Sequence, residues 1–182
     1  TARVEFIAAG GDAWKRFPDL SSPRSEHGTA VLLGLAGHYQ HADDDPDAKD
    51  TFRAVTADVS CEFGGASLFA SFVYRTLDLA GGWTDDSFAY TLQGGVFATD
   101  DVEVFARYER GEADPDDMTD LAAVTLGFNY FQRSHGGKLT VDVGYGLDPV
   151  DDAWSSSGAG WRADEAGADG QLVGRAQYQL LY

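Results

Sequence analysis

The chain is poor in cysteine, methionine, proline and positive charge, and it has no long apolar run. One cysteine, Cys61, excludes an internal disulfide framework. Lys and Arg number 13 against 30 Asp and Glu, a formal net charge of −17. Nucleic-acid binding needs a basic footprint, and docking on anionic lipid needs a polybasic patch, so the charge argues against both. No apolar stretch approaches the roughly 18 residues that a membrane helix requires. With only five prolines in 182 residues, extended segments run uninterrupted. The chain opens on Thr1 with no signal-peptide pattern, as expected of a processed mature chain or a fragment.

What is abundant is glycine and aromatic residues: 22 Gly, eight Tyr, eleven Phe and four Trp, within a hydrophobic content of 43%. This content suits one folded domain rather than disorder, and the length suits a single domain over 1–182. Side chains on a strand alternate faces. The closing stretch, Gln171–Tyr182, splits that way. Leu172, Gly174, Ala176, Tyr178, Leu180 and Tyr182 fall on one face, and Gln171, Val173, Arg175, Gln177, Gln179 and Leu181 on the other. Similar patterns occur at Thr1–Ala8, Thr29–His41, Phe52–Phe63, Ala66–Thr76, Ser87–Ala98, Val102–Arg110, Leu121–Phe131 and Lys138–Gly146, giving nine expected strands. Gly64-Gly65 signals a two-residue hairpin.

Connections sort by length. Tight turns are expected at 64–65, 99–101 and 133–136. Longer, acidic loops are expected at 43–50, 111–120 and 147–170, with a medium one at 78–86. A transmembrane strand needs only about 9–11 residues, and outer-membrane barrels pair short periplasmic turns with long external loops. The segment 10–27 breaks this rule, because parity puts a long connection on the short-turn side.

At Thr125–Val143 the sequence reads TLGFNYFQRSHGGKLTVDV. The Gly-Phe-Asn-Tyr-Phe strand, the turn with His-Gly, the Lys-Leu and the following Asp resemble the phosphate-selective porin O and P family. So do Gly94-Gly95-Val96-Phe97 with Glu103-Val104-Phe105-Ala106-Arg107-Tyr108, Ala2-Arg3-Val4-Glu5 with Asp12-Ala13-Trp14-Lys15, and the closing Arg175–Tyr182. The resemblance implies an all-β, antiparallel up-and-down transmembrane β-barrel. It further implies a trimeric, sixteen-stranded porin of the bacterial outer membrane, with this chain supplying about nine strands of the C-terminal half. Its partners would be outer-membrane lipid, two further copies, and small hydrophilic solutes or ions, with no cofactor. Phosphate preference in that family rests on lumen arginines and lysines. Three lysines in the whole chain give no visible cationic ladder, so anion, cation and mixed selectivity stay open.

The expected lumen face carries Arg75, Arg107, Lys138 and Arg175 together with Asp58, Glu62, Glu103, Glu109 and Asp142. The cations form either a selectivity strip or cross-strand pairs with the acids. Tyr39, Tyr74, Tyr108, Tyr130, Tyr145, Tyr178 and Tyr182 fall near strand ends on the apolar face. They read as interfacial girdles, the alternative being a soluble core. Asp43, Asp44, Asp45 and Asp47 form a weak Ca²⁺ candidate without EF-hand spacing, so a solvated loop is the simpler reading. His38 and Asp58 share the polar face as a conceivable general-base pair. No Gly-x-Ser-x-Gly motif accompanies them, and no catalytic residue is implied. Rival readings are a surface barrel with a plugged lumen and functional acidic loops, and a soluble lipocalin-like binder.

Overall fold

The computed structural model describes residues 1–11, 17, 20–24, 28–41, 50–79, 82–113, 120–132, 136–150, 154–155, 160–164, 168 and 170–180. Nine strands form one sheet: β1 (Ala2–Ala9), β2 (Ala30–His41), β3 (Thr51–Glu62), β4 (Ala66–Leu79), β5 (Trp83–Phe97), β6 (Val102–Ala113), β7 (Leu121–Gln132), β8 (Gly137–Gly146) and β9 (Leu172–Leu180). Spatial order follows chain order, and each strand pairs antiparallel with the next. Among the described residues β1 and β9 do not pair with each other, so the sheet has two free edges.

All nine expected strands are present, but the loop expected over 78–86 is not. β4 and β5 continue as a ladder past Asp78↔Thr84 to Leu79↔Trp83, closed by a bond from the Gly82 amide to the Leu79 carbonyl. β6 likewise extends beyond Arg110 to pair Ala113 with Ser87. Asp78, Asp85, Asp86 and Glu112 sit where strands rise above the apolar belt. There the outer face has turned polar, with Thr76, Asp78, Thr84 and Asp86 on it, so a strand reads like an acidic loop. The Gly64-Gly65 hairpin is present. Both glycines have positive φ, 68° and 99°, which the primed hairpin turns demand and which non-glycine residues resist.

The two faces differ in kind. On the outer face, cross-strand rows such as Val31–Cys61–Leu68–Gly94–Ala106–Leu126–Val143 run through the sheet. The apolar stretch covers about nine residues per strand, Ala66 to Tyr74 on β4 for example, the length a tilted transmembrane strand needs. Val4, Leu126 and Leu172 are 70%, 66% and 71% exposed. Among the described residues no segment covers this face. Among the described residues, a cluster of buried apolar side chains lies on the opposite face, where Ala123, Val150 and Trp161 pack with the partly buried Leu121, Trp154 and Val173.

Candidate functional site

Strand parity brings all nine expected charged residues to the inner face. The register Asp58↔Ser71↔Thr91↔Glu109 runs across β3 to β6. Next to it lies Gln93↔Arg107↔Thr125, then Asp142↔Arg175 on β8 and β9. Glu62, Arg75, Glu103 and Lys138 share this parity. The sequence reading overlooked Arg3 and Glu5, which alternate with Val4 and Phe6 and so face inward too. Arg3 grips Asp58 with both guanidinium branches, at 2.7 and 3.0 Å, and donates to Glu5 at 2.8 Å.

The four expected cations are engaged in different ways. The Arg175 Nε donates to Asp142 at 2.6 Å, and its Nη2 reaches the Thr125 hydroxyl at 3.3 Å. This is one of the cross-strand acid pairs expected between the named residues. Arg107 donates to Gln93 at 2.8 Å and lies 4.0 Å from Glu109 on its own strand. Arg75 donates to the Ser87 hydroxyl rather than to an acid. Lys138 sits over the Phe131 ring, 5.7 Å from its centre. Among the described residues Glu103 pairs with no arginine. It is buried and accepts from Ser21 at 2.5 Å and from Asn129 at 2.7 Å. Cations and carboxylates therefore interleave across the wall instead of forming a ladder of one sign.

His38 and Asp58, weighed as a general-base pair and set aside, do not come together. Asp58 is held by Arg3, while the His38 ring bonds the Thr1 hydroxyl and packs against Phe52. Among the described residues no group of three or more His, Cys, Asp or Glu is placed to hold a metal. Asp43, Asp44, Asp45, Asp47, His135 and Tyr182 lie outside the described residues.

Two segments fold inward onto this wall. At the long-loop rim, Trp161 packs over Gly144 and Trp154 over Gly111. A Cβ at Gly111 would lie 2.5 Å from the Trp154 ring, so glycine is what lets the indole lie against the strand. Backbone bonds from Gly146 to Gln171, Leu147 to Ala122 and Asp164 to Val150 fix the loop's course. Gln171 clamps it further through the Arg162 backbone and the Asp164 carboxylate. At the short-turn rim, residues 20–24 lie across the β3–β4 and β5–β6 turns. Neither inward fold was visible as alternation, because neither segment is a strand. The Trp, Ser and Pro in these otherwise polar stretches were the available signal.

On the outer face, Tyr39, Tyr74 and Tyr145 lie toward the long-loop rim, Tyr130 and Tyr178 toward the other. All five are exposed. Tyr108 stacks obliquely on Tyr90 with ring centres 6.0 Å apart.

No family model and no curated protein matches this sequence. Two solved structures are similar to it: the outer-membrane expressed OmpT of Vibrio cholerae and a mutant of the same protein lacking its loop L8. Each superposes with a TM-score of 0.53 at 18% identity over 79% of this chain. The chain spans 44% of the length of the first and 47% of the second. That likeness, with nine up-and-down antiparallel strands and an apolar exterior, shows the fold to be that of an outer-membrane β-barrel wall.

Proposed function

We propose that this chain is part of a bacterial outer-membrane porin, a wall of a water-filled channel for passive diffusion of small hydrophilic solutes or ions. The observation that carries this reading is the sorting of faces. The large apolar side chains of the belt stand uncovered on one face, while the nine charged residues of the inner parity, Asp58 to Arg175, stand on the other, buried or half-buried. Lipid outside and water inside satisfy both faces, and water on both sides does not. The free edges of β1 and β9 present unpaired backbone groups, which barrels satisfy by closure. Closure by further strands fits a chain that spans less than half of its structural neighbours. A sixteen-stranded trimer is the form implied by the resemblance to the phosphate-selective porins. Because cations and acids interleave along the wall, selectivity is weak, and the acidic surface tips it toward cations.

Planar-bilayer conductance of the native protein under a salt gradient tests this. Discrete steps with a modestly cation-selective reversal potential are expected. An anion-selective potential would favour phosphate transport instead. A folded, inserted protein without steps would move the reading to a plugged structural barrel, which the two inward segments favour.

A further inference from the structure

Residues 20–24 occupy a place that sequence logic leaves unexplained. The other described connections at this rim are tight turns, yet β1 and β2 are joined by a long segment, of which residues 20–24 turn inward. Ser22 is completely buried and Ser21 nearly so, as are Phe97 and Glu103 of the wall beneath. Polar contacts hold it down. The Gly65 amide donates to the Ser22 carbonyl at 2.8 Å, and the Gly64 amide to the Ser22 hydroxyl at 3.1 Å. The Ser67 hydroxyl donates to the Leu20 carbonyl at 2.7 Å, and Arg24 reaches the Phe97 and Ala98 carbonyls. Ser21 joins this segment to a charged wall side chain, Glu103, at 2.5 Å. Glu103 is otherwise anchored in the sheet by Asn129, which itself accepts from Thr140 at 2.6 Å. Ser67 lies 3.5 Å from its second oxygen. Gly95 leaves the space that this carboxylate fills.

We propose that Glu103 and residues 20–24 set the width of the passage at the short-turn end and thereby the size of solute that crosses. This rests on the porin reading. A carboxylate fixed by the wall and gripping a serine of the connection holds the segment against the wall at one depth, as a fixed narrowing. A half-buried lumen charge such as Glu109 shapes the field but not the bore.

The test uses the intact native protein with Ser22→Cys in a Cys61→Ser background, alone and combined with Ser21→Ala, Glu103→Gln or Glu103→Ala. Each variant is checked for folding by resistance to SDS before heating. Labelling of the Ser22→Cys thiol by a membrane-impermeant maleimide reports whether the segment leaves the wall. Conductance and the swelling rate of liposomes in neutral sugars of increasing size report the bore. Glu103→Ala should raise the labelling rate roughly tenfold, the factor matching loss of one hydrogen bond to a charged group, and should enlarge both the conductance step and the sugar cut-off. Ser21→Ala should do the same while leaving every strand residue in place, and Glu103→Gln should do less. Unchanged labelling in folded Glu103→Ala and Ser21→Ala overturns the proposal. So does faster labelling with the same step and cut-off. Absence of steps from the inserted wild type overturns the porin reading itself, a result distinct from steps whose size Glu103 does not control.

Discussion

Leu126 stands in the middle of the outward row of β7, between Val124 and Phe128, with about two-thirds of its surface uncovered. In water such a position tolerates almost any polar residue. In lipid an arginine there costs about 2–4 kcal/mol, since the depth is near the bilayer midplane. Leu126→Arg is therefore expected to lower folding stability in lipid vesicles by that amount in a reversible denaturant titration. Thr91→Arg, on the inward face of β5, should change stability by well under half as much. Equal effects at the two sites would contradict the assignment of faces. At this scale the sequence was informative. Parity alone placed Asp58, Glu62, Arg75, Glu103, Arg107, Glu109, Lys138, Asp142 and Arg175 on one side. It could not pair them, because partner choice depends on register between strands, and Arg75 met Ser87 where an acid was expected.

Among the elements, the inward β8–β9 connection depends on one side chain above the others. Trp161 is buried against Ala123 and Val150 and lies over Gly144. Trp161→Ala removes most of that contact and is expected to cost about 3 kcal/mol, the low end for a buried tryptophan because the connection relaxes around the gap. Thermal unfolding in detergent should show the loss. The conductance step should rise as the loop retreats from the wall, and an unaltered step would mean the loop does not narrow the lumen. Strands and tight turns were legible because period-two alternation and Gly-Gly carry local information. The upper ends of β4, β5 and β6 were not, since Asp78, Asp85 and Asp86 form ladders above the belt where alternation has vanished. The inward course of 20–24 and of the β8–β9 connection was hidden for another reason. Hydrogen bonds such as Ser21 to Glu103 span distant parts of the chain and leave no periodic trace.

For the molecule as a whole, the formal charge of −17 acts on the surroundings more than on the fold. Exposed charges are screened beyond about 10 Å at 0.1 M salt and beyond about 3 Å at 1 M. The expected cation preference should therefore fall as both salt solutions are raised from the lower to the higher concentration at a constant ratio. A reversal potential that does not move would assign selectivity to half-buried wall groups such as Arg175 and Asp142, which salt screens less. The two inward segments occupy opposite rims of the same wall, residues 20–24 over β3 to β6 and the β8–β9 connection over β6 to β9. For a current passing through, they act as two resistors in series. On the porin reading the two resistances add, so freeing either segment alone raises the conductance only in part, the other still limiting it. Freeing both should raise the conductance by more than the sum of the two separate gains.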